Sequence, residues 1–446
     1  MKPSIVASPS PRRSANQATG IAADYQRVRQ RSIQIAQPLR PEDMVIQTAS
    51  FASPTKWHLA HTTWFFERFI LREFVAGYQP FHPQYDYLFN SYYNTVGPQH
   101  CRSNRGAVSR PDVAEVLKYR QAVDQRILDW LADAGDLPDE ARRRLIIGLN
   151  HEQQHQELMV SDIKYAFSTN PLLPAYHDQP APPPSPAPAA AGWVHHPGGL
   201  VEIGAAADAT GFTYDNESPR HRVFLEPFAL ADRPVSNAEF LAFVEDGGYD
   251  RHDLWLSAGW AWIHSEQIRH PLYWYRDPQR DDAWMQYTLR GPSKLNPAEP
   301  AVHLSYFESD AFARWAGARL PSEAEWEVVA ASTPMPAESD DGRLFHPAPL
   351  DELPATEGAP RGLFGQVWQW TRSSYDAYPG FSPAPGALGE YNGKFMCNQY
   401  VLRGGCVATP ADHSRATYRN FYAANGRWPF AGLRLARDAA NASSPS

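Results

Sequence analysis

The sequence predicts two domains in series, an α-helical bundle followed by a loop-rich α+β domain. Three observations carry this reading. Between residues 22 and 167, apolar residues recur three and four apart in four long windows, the period of helices with one buried face. A stretch from Pro171 to Gly192 then contains PAPPPSPAPAAAG, whose prolines favour extended structure and cannot join a helix or a sheet. Beyond it come short β-like runs with many Gly, Pro and Trp. The length of 446 residues also exceeds what one hydrophobic core organises.

Taken in order, residues 1–20 are rich in Ser, Pro and Ala and are expected to be a disordered tail. The helical domain spans 21–170, with helices at about 22–37, 54–74, 111–133 and 138–167, enough for a four-helix bundle. The second helix starts at Ser53-Pro54, a hydroxyl cap followed by proline in the first turn, and Asp136-Leu137-Pro138 gives the fourth the same signal. Residues 171–192 are the linker. The second domain, 193–440, holds β-like runs at Leu200–Ile203 and Arg222–Leu225 and helical windows at Asn237–Val244 and Ser305–Ala316, with a short tail at 441–446.

A formal net charge of −8, with no basic run longer than Arg142–Arg144 inside a helix, excludes a nucleic-acid track. Three cysteines without a CxxC pair exclude a disulfide framework and a thiolate zinc site, and fit a reducing cytoplasm. No stretch approaches the roughly 18 apolar residues of a membrane span, so no membrane association is expected. Nothing in the sequence signals an oligomeric state.

The fourth helix contains His151-Glu152-Gln153-Gln154-His155, which places two imidazoles one turn apart on one face. The second helix carries His58 and His61 among large apolar residues, and facing helices of a bundle can build a site between them. Imidazole ligands suit iron, copper, zinc and nickel alike, so spacing does not name the metal. The run is also literally HExxH, the zinc-hydrolase pattern with Glu152 as general base.

The segment Ser53-Pro54-Thr55-Lys56-Trp57-His58-Leu59-Ala60-His61-Thr62-Thr63-Trp64-Phe65-Phe66-Glu67, with His151 to His155, resembles the DinB-like half of ergothioneine-type sulfoxide synthases. The second domain resembles the formylglycine-generating-enzyme-like half of the same family, a sulfatase-modifying-factor fold. The matching stretches are Pro219-Arg220-His221, Arg319–Glu327, Gly365–Thr371, Leu402-Arg403-Gly404-Gly405 and Phe430–Arg434. A true formylglycine generator uses two cysteines near the Gly-Gly segment. Here Cys406 stands without a second one downstream, which argues against that activity.

The resemblance implies Fe(II) held by His61, His151 and His155, with His58 structural. It implies an O₂-dependent reaction joining a cysteine-type thiol to C2 of the imidazole of hercynine, the trimethyl betaine of histidine, with oxidation of the sulfur to a sulfoxide. Tyr92 and Tyr93, in Phe89–Gly97, correspond to the active-site tyrosines of one branch, where a phenol delivers a proton. Arg102 and Arg105 are spaced as the arginines that bind the donor's carboxylate. Gln154 would contact hercynine, as would Asn420 at its carboxylate and Phe421 at its cationic end. Tyr422 stands where members using γ-glutamylcysteine have an acidic residue, which points to cysteine as the donor. Gly404-Gly405-Cys406 replaces the Gly-Gly-Ser common among ergothioneine members, so the related selenoneine branch, which couples a selenium sugar to hercynine, is the alternative. A HExxH zinc hydrolase and a metal-free binding module are the readings from other classes.

Overall fold

The computed structural model describes residues 11–207, 211–335, 345–356 and 358–439, with side chains of the first helix described from residue 20. The expected tail at 441–446 and the first ten residues lie outside these. The chain divides into two compact units, residues 1–163 and 164–446. Among the described residues no helix is long and apolar enough to cross a membrane.

The first unit is built on four long helices, Pro11–Ala36, Thr55–Phe66, Val113–Asp133 and Asp139–Ser168. The first begins at Pro11, inside the segment expected to be disordered. Proline is compatible with the opening turn of a helix, where its missing N–H is not needed. Every residue of the second helix is buried, and its polar side chains are hydrogen-bonded: Lys56 donates to the carbonyls of Val108 and Pro111, and the Thr63 hydroxyl to that of Leu59. It continues through a π turn at Glu67–Leu71 to Phe74. There Glu67 accepts hydrogen bonds from Tyr78 and Tyr119 and from the backbone N–H of Phe81. The third helix opens with an Asp112/Glu115 capping box and buries Val116, Tyr119, Val123, Ile127 and Leu131, a single stripe three to four residues apart. Close approach of the second and fourth helices requires Gly148, because a Cβ there would lie 2.6 Å from the Phe66 ring.

The second unit is assembled from small sheets. Strand β1 (Trp193–His196) pairs antiparallel with β4 (Phe228–Ala231), which also pairs with β12 (Ala436–Asp438). The hairpin of β2 (Gly199–Ile203) and β3 (His221–Leu225) fulfils both predicted strands. β5 (Trp274–Asp277), β6 (Ala283–Thr288) and β7 (Gly291–Lys294) form a meander. The fourth sheet has the order β10-β9-β8-β11, from β8 (Trp368–Ser374), β9 (Gln399–Arg403), β10 (Asn420–Ala423) and β11 (Ala431–Gly432), with β10 at an edge.

Helices Asn237–Glu245, Tyr306–Trp315 and Glu323–Ala331 each begin with a Ser-x-x-Glu capping box. Each box glutamate also pairs with an arginine: Glu239 with Arg233, Glu308 with Arg427, and Glu325 with Arg319. The helices Ser257–Ser265 and Glu323–Ala331 add to the two expected from periodicity. Phe228, Leu230, Trp326, Leu363 and Phe364 form the centre of the core beneath β2, β3 and β4.

Candidate metal centre

His61 lies midway along the second bundle helix, between two indoles of that helix. Trp57, four residues earlier, stacks on its imidazole at 4.6 Å between centroids, and Trp64, three residues later, at 5.6 Å. From the fourth helix, His151 and His155 bring their rings 4.9 and 4.7 Å from that of His61. The three side chains are buried, and one nitrogen from each lies within 4.8 Å of the others.

The orientation of His61 follows from a hydrogen bond of 2.5 Å between its Nδ1 and the carbonyl oxygen of Phe89. A carbonyl only accepts, so Nδ1 carries the proton and Nε2 presents a lone pair. That Nε2 is 3.2 Å from Nε2 of His151. Burial holds the pKa of His151 down at about 3. Burial, aided by neighbouring histidines, puts His61 and His155 well below the ordinary range. The imidazoles are therefore neutral, as metal ligation requires. Convergence of three neutral imidazoles fits a divalent transition metal.

Glu152, between the two histidines in sequence, faces elsewhere. It is 0% exposed and is clamped by Arg29 at 2.8 Å, by Arg120, and by the Ser32 hydroxyl at 2.6 Å. Burial pushes its pKa up, but the Arg120 and Arg29 guanidiniums outweigh that and hold it at about 2. All four bundle helices meet here, since Arg29 also donates to Thr63 of the second helix. A carboxylate locked between two arginines has no capacity to activate a water, which removes the base that a HExxH hydrolase needs.

The loop after Phe89 also carries the tyrosines. Asn90 bonds the carbonyls of Tyr93 and Gly97 and accepts the Tyr93 N–H. Tyr93 is buried against Trp64 and Phe65, and Phe65 in turn packs 4.8 Å from His151. Tyr92 stacks on Tyr93 at 4.6 Å, with the two phenol oxygens 3.4 Å apart. Gln154 is half-buried on the helix between the two histidines.

Arg105 is buried, lies 3.4 Å over the ring of Trp57 and donates to the Ser53 hydroxyl at 2.9 Å. Its pKa falls to about 9 because of burial and the adjacent Arg102 guanidinium. Among the described residues its Nε has no hydrogen-bond partner. Arg102 is exposed and donates to the carbonyl of Phe51.

Asn420, Phe421 and Tyr422 belong to the second unit and are half-buried on β10. Strand alternation places Asn420 and Tyr422 on one face and Phe421 on the other, where it stacks on Tyr375 at 4.0 Å. Tyr422, not Phe421, therefore shares a face with Asn420. Nearby, Gly404 adopts φ +101°, and a Cβ would lie 2.4 Å from the Leu363 carbonyl oxygen. Cys406 is buried, its N–H donating to the Thr409 hydroxyl.

Sequence reasoning missed the Phe89 carbonyl, and it missed Asp162, which lies 3.0 Å from His58. Asp162 is seven residues beyond His155, two turns along the same helix face, a spacing that could have identified it.

Residues 24–159 match the profile of the DinB superfamily, and residues 178–439 that of the Sulfatase-modifying factor enzyme 1-like domain. The hercynine oxygenase of Mycolicibacterium thermoresistibile is 31% identical over 416 residues, covering 86% of this chain and 87% of that protein. The hercynine oxygenase of Mycobacterium tuberculosis is 30% identical over 439 residues, covering 94% and 98%. A formylglycine-generating enzyme from Thermomonospora curvata is 31% identical over 228 residues, covering 46% of this chain and 68% of that protein. Likeness to the hercynine oxygenases runs through nearly the whole chain, while likeness to that formylglycine generator covers less than half of it: the chain belongs to the hercynine oxygenase family.

Proposed function

We propose that this enzyme is an Fe(II)- and O₂-dependent sulfoxide synthase of ergothioneine biosynthesis, joining the sulfur of cysteine to C2 of the hercynine imidazole. The observation that carries the reading is the convergence of three neutral, buried imidazoles in a chain whose relatives are hercynine oxygenases. Hercynine, the thiol and O₂ give the C–S-linked sulfoxide and water. One C–H and one S–H bond break, and one C–S and one S–O bond form. Carbon–sulfur coupling supplies two electrons and sulfur oxidation two more, the four that O₂ takes up, so no further reductant is needed.

His61, His151 and His155 would hold the iron, which when bound binds O₂ and favours the thiolate form of the donor. The remaining roles belong to the chain's own side chains. Arg105, a buried guanidinium with an unused N–H, and its neighbour Arg102 would take the carboxylate of the donor. Tyr93, one ring removed from His151, would deliver a proton, with Tyr92 hydrogen-bonded behind it. Gln154 would contact the hercynine imidazole or its carboxylate. Asn420 would meet the carboxylate, and Tyr422, on the same strand face, would offer an aromatic surface to the trimethylammonium group. Phe421 supports that strand through Tyr375. The absence of a disulfide among the described residues fits a reducing cytoplasm.

The selenium-sugar alternative is not favoured: the relatives are hercynine oxygenases and an ergothioneine biosynthesis protein. The test is an aerobic assay of Fe(II)-loaded protein with hercynine and, separately, cysteine, γ-glutamylcysteine and a selenium sugar, read by mass spectrometry. A cysteine sulfoxide adduct that disappears in His61→Ala is the expected result. A selenium adduct alone would move the protein to the selenoneine branch, and no adduct with any donor would defeat the reading.

A further inference from the structure

We infer that Asp162 and His58 form a positioning pair that fixes the tautomer and ring orientation of His155, so that its Nε2 faces the metal. The inference rests on His61, His151 and His155 being metal ligands, and it gives His58 a purpose beyond packing.

The argument is one of hydrogen-bond direction. Asp162 Oδ2 accepts the backbone N–H of Ser53 at 2.8 Å and lies 3.0 Å from His58 Nε2. A carboxylate oxygen accepts, so Nε2 of His58 carries the proton and its Nδ1 holds a lone pair. His155 Nδ1 is 2.8 Å from that lone pair and must donate to it. The proton of His155 is thereby placed on Nδ1, and Nε2 is left with the lone pair that ligation needs. Asp162, His58 and His155 are all buried, so water does not compete for these bonds.

Metal-bound histidines commonly pass their second nitrogen to a carboxylate. Here the carboxylate acts through an intervening imidazole. Without an acceptor at position 58, His155 is free to carry its proton on Nε2, and in that form it cannot bind the metal through that atom. The chain of bonds continues outward, because Ser53, which donates its N–H to Asp162, also accepts from Arg105 through its hydroxyl.

The test is a titration of the metal-free full chain with Co(II), followed by visible absorption, with Fe(II) affinity measured by chelator competition. His58→Phe keeps a buried ring and removes the acceptor. It is expected to weaken binding about 10–100-fold and to shift the Co(II) bands. His58→Gln returns a carbonyl acceptor and is expected to recover most of both losses. Circular dichroism of the metal-free variants establishes folding, and if His58→Phe does not fold, Asp162→Ala, which removes the acceptor for His58 Nε2, is measured in its place with loss in the same direction. Unchanged affinity and spectrum in the folded variant would overturn the inference while leaving the metal site intact. A wild-type protein that binds neither ion, or binds as well after His61→Ala, would overturn the metal reading and this inference with it.

Discussion

The guanidinium of Arg105 lies 3.4 Å over the indole of Trp57, and Trp57 stacks in turn on His61 at 4.6 Å. The proposed donor-binding cation is thus one ring away from a proposed ligand. Arg105→Gln is expected to raise KM for the thiol roughly 10–100-fold, the worth of a hydrogen bond to a charged group, with a smaller effect on KM for hercynine. Arg105→Lys should not restore the loss, because an ammonium lacks the planar fork and the stacking surface. Steady-state kinetics with each substrate varied separately checks this.

Tyr93→Phe should lower kcat by about 10²–10⁴, the usual worth of a positioned proton donor, without weakening Co(II) binding. Tyr92→Phe should cost less, since its hydroxyl meets the Tyr93 hydroxyl and its ring stacks on Tyr93, through which it would act. Equal metal affinity with divergent kcat values is the expected pattern; equal kcat values would remove the proton-donor role.

Glu152→Gln leaves Arg29 and Arg120 buried without their shared anion. Breaking such a pair costs about 3–5 kcal/mol, read as a lower urea midpoint. Folded Glu152→Gln at low temperature should still couple hercynine to the thiol, an outcome that a HExxH hydrolase mechanism forbids.

Gly148→Ala would ordinarily favour a helix by about 1 kcal/mol. Here the added Cβ meets the Phe66 ring at 2.6 Å and Phe65 at 3.0 Å, and overpacking costs about 1–3 kcal/mol. A lower thermal midpoint is expected; an unchanged or higher one would mean that the two helices separate at little cost.

That three histidines come together was legible in part because a helix imposes its period on side chains: His151 and His155 had to share a face, and His61 stands among the large apolar residues of another bundle helix. What holds them in place was harder to read. A main-chain carbonyl such as that of Phe89 carries no residue identity, and the partnership of His58 with Asp162 joins two elements far apart in sequence. Parity was hidden too, since which of Phe421 and Tyr422 shares a face with Asn420 depends on where the strand begins. The helix Ser257–Ser265 is not marked in the sequence by a side-chain cap; the helix Glu323–Ala331 was not expected either, although its Ser322/Glu325 capping box is a sequence signal that could have found it.

The orientations of His61 and His155 differ in how they respond to mutation. That of His61 hangs on the Phe89 carbonyl, which every amino acid at position 89 would still supply, so substitution there can shift the backbone but cannot delete the acceptor. That of His155 hangs on the side chains at positions 58 and 162, each removable by a single codon change. Laboratory evolution of this site toward another metal or donor would therefore find its adjustable imidazole on the fourth helix, and its fixed reference on the second.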